Sequence, residues 1–284
     1  MRLGLIALFV ALVATPLIAT PSAADTFSLE YEGAALGFIP LGSISVDASI
    51  EDNSYDIQTH MASGGLLNIF ERMNIAASAS GEIDGDRVIW RRYDLDHRYA
   101  RKHRTIAMNV AANGEVVTQI NPTYRVWGSP PASDEQRRSA RDPLSTMVAM
   151  AIDVGEHQRC TGSYPTFDGR FYYMLQLSGG RMGRFDSAGY DGEVLKCSMA
   201  YVAVAGFERT DSWGGRRIPR GEIWFALAPH SRFAPPVRVT TPLSAGGAVV
   251  RLTHWRRVMV DIQDAPEGTA PAPSPPPTST TAQP

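Results

Sequence analysis

From Phe27 onward, apolar and polar residues alternate in short runs. Phe27, Leu29 and Tyr31 fall on one face. After a turn-rich stretch from Gly33 to Gly42, Ile44, Val46, Ala48 and Ile50 lie opposite Ser43, Ser45, Asp47 and Ser49. A period of two sends alternate side chains to opposite faces of an extended chain, so each run predicts a strand with one face in a core. Asp52-Asn53-Ser54 supplies a turn, and Tyr55, Ile57, Thr59 and Met61 keep the period on a partner strand. The stretch from Gly64 to Phe70 breaks it with two glycines and clustered apolar residues, which suits a bend that plugs a core edge.

Strand character returns from Met73 to Ser80, and Asp84-Gly85-Asp86 turns the chain into Val88 to Tyr93. Asp94 to Val110 reads as one long basic strand, and Asn113-Gly114 as a hairpin turn into Glu115 to Ile120. The polar segment from Gly128 to Arg141, with Pro130-Pro131, reads as an exposed loop. Asp142 then stands as an N-cap with Pro143 at the first helical position. Leu144, Met147, Val148 and Ala151 recur at helical spacing, so the helix is expected to lay one face on a sheet and to stop near Gly155. Beyond it, Asp168-Gly169 turns into an aromatic strand from Phe171 to Leu177. Gly179-Gly180 and Asp191-Gly192 read as further turns between strands that end with Ala248 to Asp261. Odd positions Phe171, Tyr173, Leu175 and Leu177 are all apolar and the even ones mixed, as in a sheet covered on both faces by its own curl. The expected class is mainly β: a curled antiparallel sheet with one packed α-helix.

The two ends read differently. Residues 1–24 carry Arg2, an apolar run from Leu3 to Leu17 and the small residues Ser22-Ala23-Ala24, the pattern of an export signal cleaved near Ala24. Residues 263–284 form a Pro-rich tail whose composition cannot bury enough apolar surface to offset its ordering entropy. Between them, 25–262 reads as a single domain, without a further apolar stretch of the roughly 20 residues that a membrane helix needs. A composition of 44% hydrophobic and 20% charged residues is that of a globular protein, and a formal net charge of -2 argues against nucleic acid as a partner. Export gives meaning to the only two cysteines, Cys160 and Cys197, because an oxidising compartment preserves disulfides. One intramolecular pairing is available to them, the alternative being two buried free thiols.

The order of features resembles one family, the exported bacterial proteins grouped as domain of unknown function 3108. The matching pieces are YEGAALGFIPLGSISVDASI, GLLNIFER, RDPLSTM, CTGSYPTFDGRFYYMLQL, YDGEVLKCSMAYVAVAGFER and GEIWFAL, from about Thr26 to Asp261. The resemblance implies a periplasmic envelope protein shaped as an open or spiral antiparallel β-barrel with a helix against it. It implies no reaction.

Candidate chemistry is sparse. On one continuous strand, His97, Tyr99, Arg101 and His103 share a parity and can line up to hold an anionic head group. A metal between the two histidines is rejected because residues six apart on an extended strand lie about 20 Å apart. Arg170, after the Asp168-Gly169 turn, is free to pair with a carboxylate, and Tyr173 belongs to the aromatic run that can line a lumen. No serine sits in a GxSxG setting, no phosphate-binding GxxxxGK loop occurs, and the spacing of the cysteines excludes a CxxC redox or zinc motif. Asp142 beside Arg141 is explained by capping. No cofactor is implied. The expected function is therefore non-catalytic support of the cell envelope, through binding a lipid-like ligand or a partner protein on the concave face of the sheet. The alternative is an envelope hydrolase of glycans or lipids with dispersed carboxylates facing each other across a cleft.

Overall fold

The computed structural model describes residues 23–65, 68, 72–208, 220–243 and 246–261. The leader expected over 1–24 lies outside the described residues except for Ala23 and Ala24. The tail over 263–284 and most of the bend at 64–70 lie outside them as well.

Thirteen strands form one antiparallel sheet. They are β1 (Ala23–Ala35), β2 (Ile39–Ile50), β3 (Ser54–Ser63), β4 (Met73–Asp84), β5 (Arg87–Tyr99), β6 (Lys102–Val110), β7 (Val116–Asn121), β8 (Gly162–Phe167), β9 (Tyr172–Ser187), β10 (Tyr190–Ala205), β11 (Gly221–Ala226), β12 (Pro236–Leu243) and β13 (Gly246–Asp261). Their order is β7-β6-β5-β4-β3-β2-β1-β13-β12-β11-β10-β9-β8, so the first and last strands pair at the centre while β7 and β8 form the edges. The barrel is open, because among the described residues no hydrogen-bonded ladder joins those edges. The alternation read in β2 and β3 is observed: Ala48, Ile50, Tyr55 and Ile57 are buried in the core.

Among the described residues, two helices with full bounds interrupt the strands: α1 (Asp134–Ser139) and α2 (Pro143–His157). The first corrects the loop expected over 128–141. Ser133 caps it and Gln136 reaches back to the Ser133 backbone, a capping box that the Ser-x-x-Gln spacing encodes. It buries none of its residues, so of these two helices only α2 is packed into the core. α2 buries Ser145, Thr146, Val148, Ala149, Met150, Ala151, Ile152 and Val154, which is more than the one face expected. A helix wrapped by a curled sheet meets core on most sides, and the one charged residue between Ser145 and Val154, Asp153, is only half-buried and accepts from Tyr164 Oη.

Three further readings change. The run from Asp94 to Val110 is a hairpin: β5 ends at Tyr99, Ala100 adopts φ +50°, and β6 begins at Lys102. Gly179 and Gly180 lie within β9, where the ladder slips past Cys197 in a bulge. Gly180 adopts φ +128°, a backbone conformation that side chains disfavour, and lies beside Cys160 of the cystine. Asp191-Gly192 lies within β10, the turn falling three residues earlier, at Ala188-Gly189. Asp168-Gly169 is the turn expected: Asp168 Oδ1 accepts from the Arg170 and Phe171 amides at 2.9 and 2.7 Å. Cys160 and Cys197 form a disulfide with their Cα atoms 5.4 Å apart, tying the chain after α2 to β10.

Candidate functional site

The inner face of the sheet can be followed through its register. Tyr31 pairs with Ile44, Ile44 with Met61, Met61 with Ile75, Ile75 with His97 and His97 with Arg104. Cross-strand partners point to the same side, and Tyr31 is buried in the core. The row therefore runs along the inside of the curl, from apolar residues at the centre of the sheet to a histidine and an arginine near its β7 edge.

At the centre the row forms one wall of an apolar concavity of about 340 Å³. Tyr31, Ile44 and Met61 face Leu144, Met147 and Val148 of the first turns of α2, and Val239 and Val250 supply a third side. Small-molecule pockets run from about 300 to 1,000 Å³ and are mostly apolar with few polar groups, and this cavity falls at the small end of that range. The helix is held over it by buried polar bonds. Asp142 Oδ1 accepts from the Leu144 and Ser145 amides, each at 2.9 Å. Ser145 Oγ donates to Asp142 Oδ2, and Tyr55 Oη donates to Ser145 Oγ at 2.6 Å. Burial raises the Asp142 carboxyl to about 6, with these hydrogen bonds opposing the rise. Asp142 is thus a helix cap linked through Ser145 to the cavity-lining strand β3.

At its other end the row meets a cluster of cations. Burial, with the Arg104 charge beside it, lowers the His97 pKa below the ordinary value against the pull of Asp96. His97 Nε2 is shut off from solvent and has no hydrogen-bond partner. Arg104 Nε donates to the Pro122 carbonyl at 2.9 Å, and its guanidinium carbon lies 3.9 Å from the centre of the Tyr124 ring. Arg170 also stacks on Tyr124, at 4.9 Å, and on Phe171, at 4.7 Å. It joins this cluster from the far edge of the sheet, because the β8–β9 turn folds across to β6: a Cβ at Gly169 would meet Ile106 Cγ2 at 2.9 Å. The curl is thus bridged by side chains where no ladder closes it.

His97, Tyr99, Arg101 and His103 do border one depression, of about 390 Å³, together with Lys102 and Arg104. They do not share a face. His97 and Tyr99 point inward with Arg104, whereas His103 pairs with Arg98 and turns outward to Asp96, at 3.0 Å. Arg101 is exposed at the tip. The metal reading therefore fails for a different reason from the one read in the sequence: the hairpin brings positions 97 and 103 nearer but turns them to opposite sides. Arg170 has found a carboxylate, Glu208, at 3.0 Å, although its Nε is buried without a partner. Tyr173 stacks on Tyr201 at 4.6 Å, and burial pushes its phenol well above the ordinary range, with the Asp168 charge adding to the rise. Sequence reasoning missed Arg104, Tyr124, Met61 and Met147. The first two depend on the hairpin and on the seam between sheet edges, which leave no local pattern.

A family model described as "Protein of unknown function (DUF3108)" matches residues 26–253. No curated protein matches the chain. Among solved structures, the chain is similar to a β-barrel-like protein of domain of unknown function DUF1849 from Brucella abortus, with a TM-score of 0.52 and 10% identity. That similarity covers 82% of this chain and 98% of the other, and at such identity it bears on the fold alone.

Proposed function

We propose, for a chain that belongs to the DUF3108 family, that the concave face of its open barrel binds an amphiphilic anion, an acyl chain with an acidic head. The apolar concavity between β1–β3 and α2 would take the chain. The head would lie along the inner row toward His97 and Arg104, three strand steps from Met61, or about 14 Å. The observation that carries this reading is the continuity of one face from apolar lining to buried, unpartnered His97 Nε2 and Arg170 Nε. Polar atoms left without partners in a low-dielectric setting favour a ligand that supplies acceptors.

The reading is of a binding protein rather than an enzyme. The carboxylate beside the cavity, Asp142, is committed to capping α2, and the cavity lining is apolar. The leader pattern and the disulfide support export to an oxidising compartment, the periplasm, where the protein would serve the envelope. Cell fractionation with detection of the shortened chain tests that placement; retention of the full-length chain in the cytoplasm would exclude it. For the ligand, organic extracts of the purified protein are to be analysed by mass spectrometry and compared with binding of added palmitate. Extracts without any stoichiometric amphiphile, together with no saturable palmitate binding, would refute the reading.

A further inference from the structure

A second row, of cations, crosses the outer face of the sheet. Arg181 on β9 pairs with Lys196 on β10, Lys196 with Trp224 on β11, Trp224 with Arg238 on β12, and Arg238 with Arg251 on β13. The residues beside them along the strands, Cys197, Ile223, Phe225 and Leu252, are fully buried in the core, so the row faces away from it. Four strand steps make it about 19 Å long.

Two pairs of like charge stand directly opposite each other in this row, Arg181 with Lys196 and Arg238 with Arg251. Such pairs oppose strand pairing unless something else neutralises them. Part of the relief is aromatic: Lys196 Nζ lies 3.7 Å and Arg238 Cζ 5.0 Å from the centre of the Trp224 ring, and Arg251 Cζ lies 5.6 Å from that of Phe185. Little of it is anionic. Among the described residues, Glu222 is the one carboxylate in ion-pair range of the row, 4.0 Å from Arg181, and it also accepts from Trp224 Nε1 at 2.5 Å. Arg238 Nε is closed to solvent with no partner. Gly183 keeps the path of Lys196 clear, since a Cβ there would come within 2.3 Å of Lys196 Cε.

We propose that this row docks the protein on the surface of an anionic phospholipid bilayer. One small anion would engage one or two of these cations, whereas a plane of phosphate head groups can meet all four along the row. Trp224 at its centre is the side chain that settles at the water–lipid boundary, and each cation near an anionic leaflet adds to the attraction. Arg238 also borders the concave cavity, whereas Arg181, Lys196, Trp224 and Arg251 are not part of its lining, so those residues carry the inference separately from what the cavity holds.

The test is sedimentation of the full chain with vesicles of phosphatidylcholine alone and of phosphatidylcholine mixed with phosphatidylglycerol. Residues 1–24 are common to every variant, so their contribution cancels in the comparison. The triple variant Arg181→Gln, Lys196→Gln, Arg251→Gln, which spares the cavity-lining Arg238, should lose binding to the anionic vesicles by on the order of 100-fold. A control triple, Arg87→Gln, Arg91→Gln, Arg98→Gln, removes the same charge from outward cations that each have a carboxylate partner, and should change binding less than about threefold. Melting temperatures and retention of the disulfide establish that both variants are folded. Equal wild-type binding to the two vesicle types, or equal losses in the two triples, would overturn the proposal. So would loss of wild-type binding on adding inorganic phosphate at constant ionic strength, which would make the row a site for a free anion.

Discussion

His97 stands directly opposite Arg104 in the β5–β6 ladder, and both side chains face the inside of the curl. Had the chain run on as one strand, His97 and His103 would share a face and Arg104 would lie on the other. The reversal at Ala100 and Arg101 exchanges their companions and places a cation where the apolar inner row ends. Binding on the concave face should therefore depend on Arg104 and Arg170, with His103 outside the site.

Arg104→Gln should weaken binding of a fatty acid at least about tenfold, the order expected for one hydrogen bond to a charged group. It should leave the matching fatty alcohol unaffected, because the acyl portion does not reach β6. Titration calorimetry with the acid and the alcohol separates the two, and His103→Gln should alter neither. Equal losses for acid and alcohol would place the head group elsewhere.

Ile44→Trp should fill the apolar concavity. Overpacking a tight core costs about 1–3 kcal/mol, and the empty space beside Ile44 should keep the cost at the low end. The variant should melt within a few degrees of the wild type and carry no co-purified amphiphile. Retention of ligand at wild-type stoichiometry would show that the cavity is not its site.

Asp142 gives a pH signature. Its carboxyl is raised in the folded protein from 3.8 to about 6 by burial, so between those values the folded state holds more protons than the unfolded chain. Stability contributed by this group is greatest below pH 3.8 and falls as pH rises, the loss being complete above about 6. Asp142→Asn, which can still cap the helix, should flatten that part of the profile. Thermal unfolding of both proteins across pH 4 to 7 should show the wild type losing stability relative to the variant as pH rises. A difference that does not change with pH would contradict the buried, raised carboxyl.

The Cys160–Cys197 disulfide closes a separation of 37 residues, and in the chain-entropy account such a loop contributes on the order of 3 to 4 kcal/mol. Cys160→Ser together with Cys197→Ser should lower the melting temperature by several degrees, as should reduction of the native protein. Identical melting of the oxidised protein and the double variant would remove that role.

Much of the fold could be read along the chain because it rests on short-range patterns. Strands β2 and β3 announce themselves by strict alternation, α2 by Asp142-Pro143 and helical spacing, and the β8–β9 turn by Asp168-Gly169. The errors have equally local causes. The tip at Ala100 and Arg101 lacks the Asn-Gly or Asp-Gly signature, and its backbone turn is imposed by the pairing of β5 with β6. Gly179-Gly180 and Asp191-Gly192 are typical turn pairs, yet long-range pairing of β9 with β10 holds them in the sheet, the first as a bulge beside the cystine. The capping box of α1 was present in Ser133 and Gln136 but lies in a stretch whose prolines and charges suggest a loop.

The candidate site divides along the same line. Alternation sets which residues of a strand share a face, and so dictates that Tyr31, Ile44 and Met61 can line a common surface. Composition at the termini and the pair of cysteines carry the expectation of export. Neither can say which strand lies beside which, because register joins residues far apart in sequence through backbone hydrogen bonds that every residue type can make. That register alone sets His97 against Arg104 inside the curl and Lys196, Trp224 and Arg238 in a line outside it. The fold of the β8–β9 turn across to β6, which brings Arg170 to Tyr124, likewise exists only once the sheet has curled around α2.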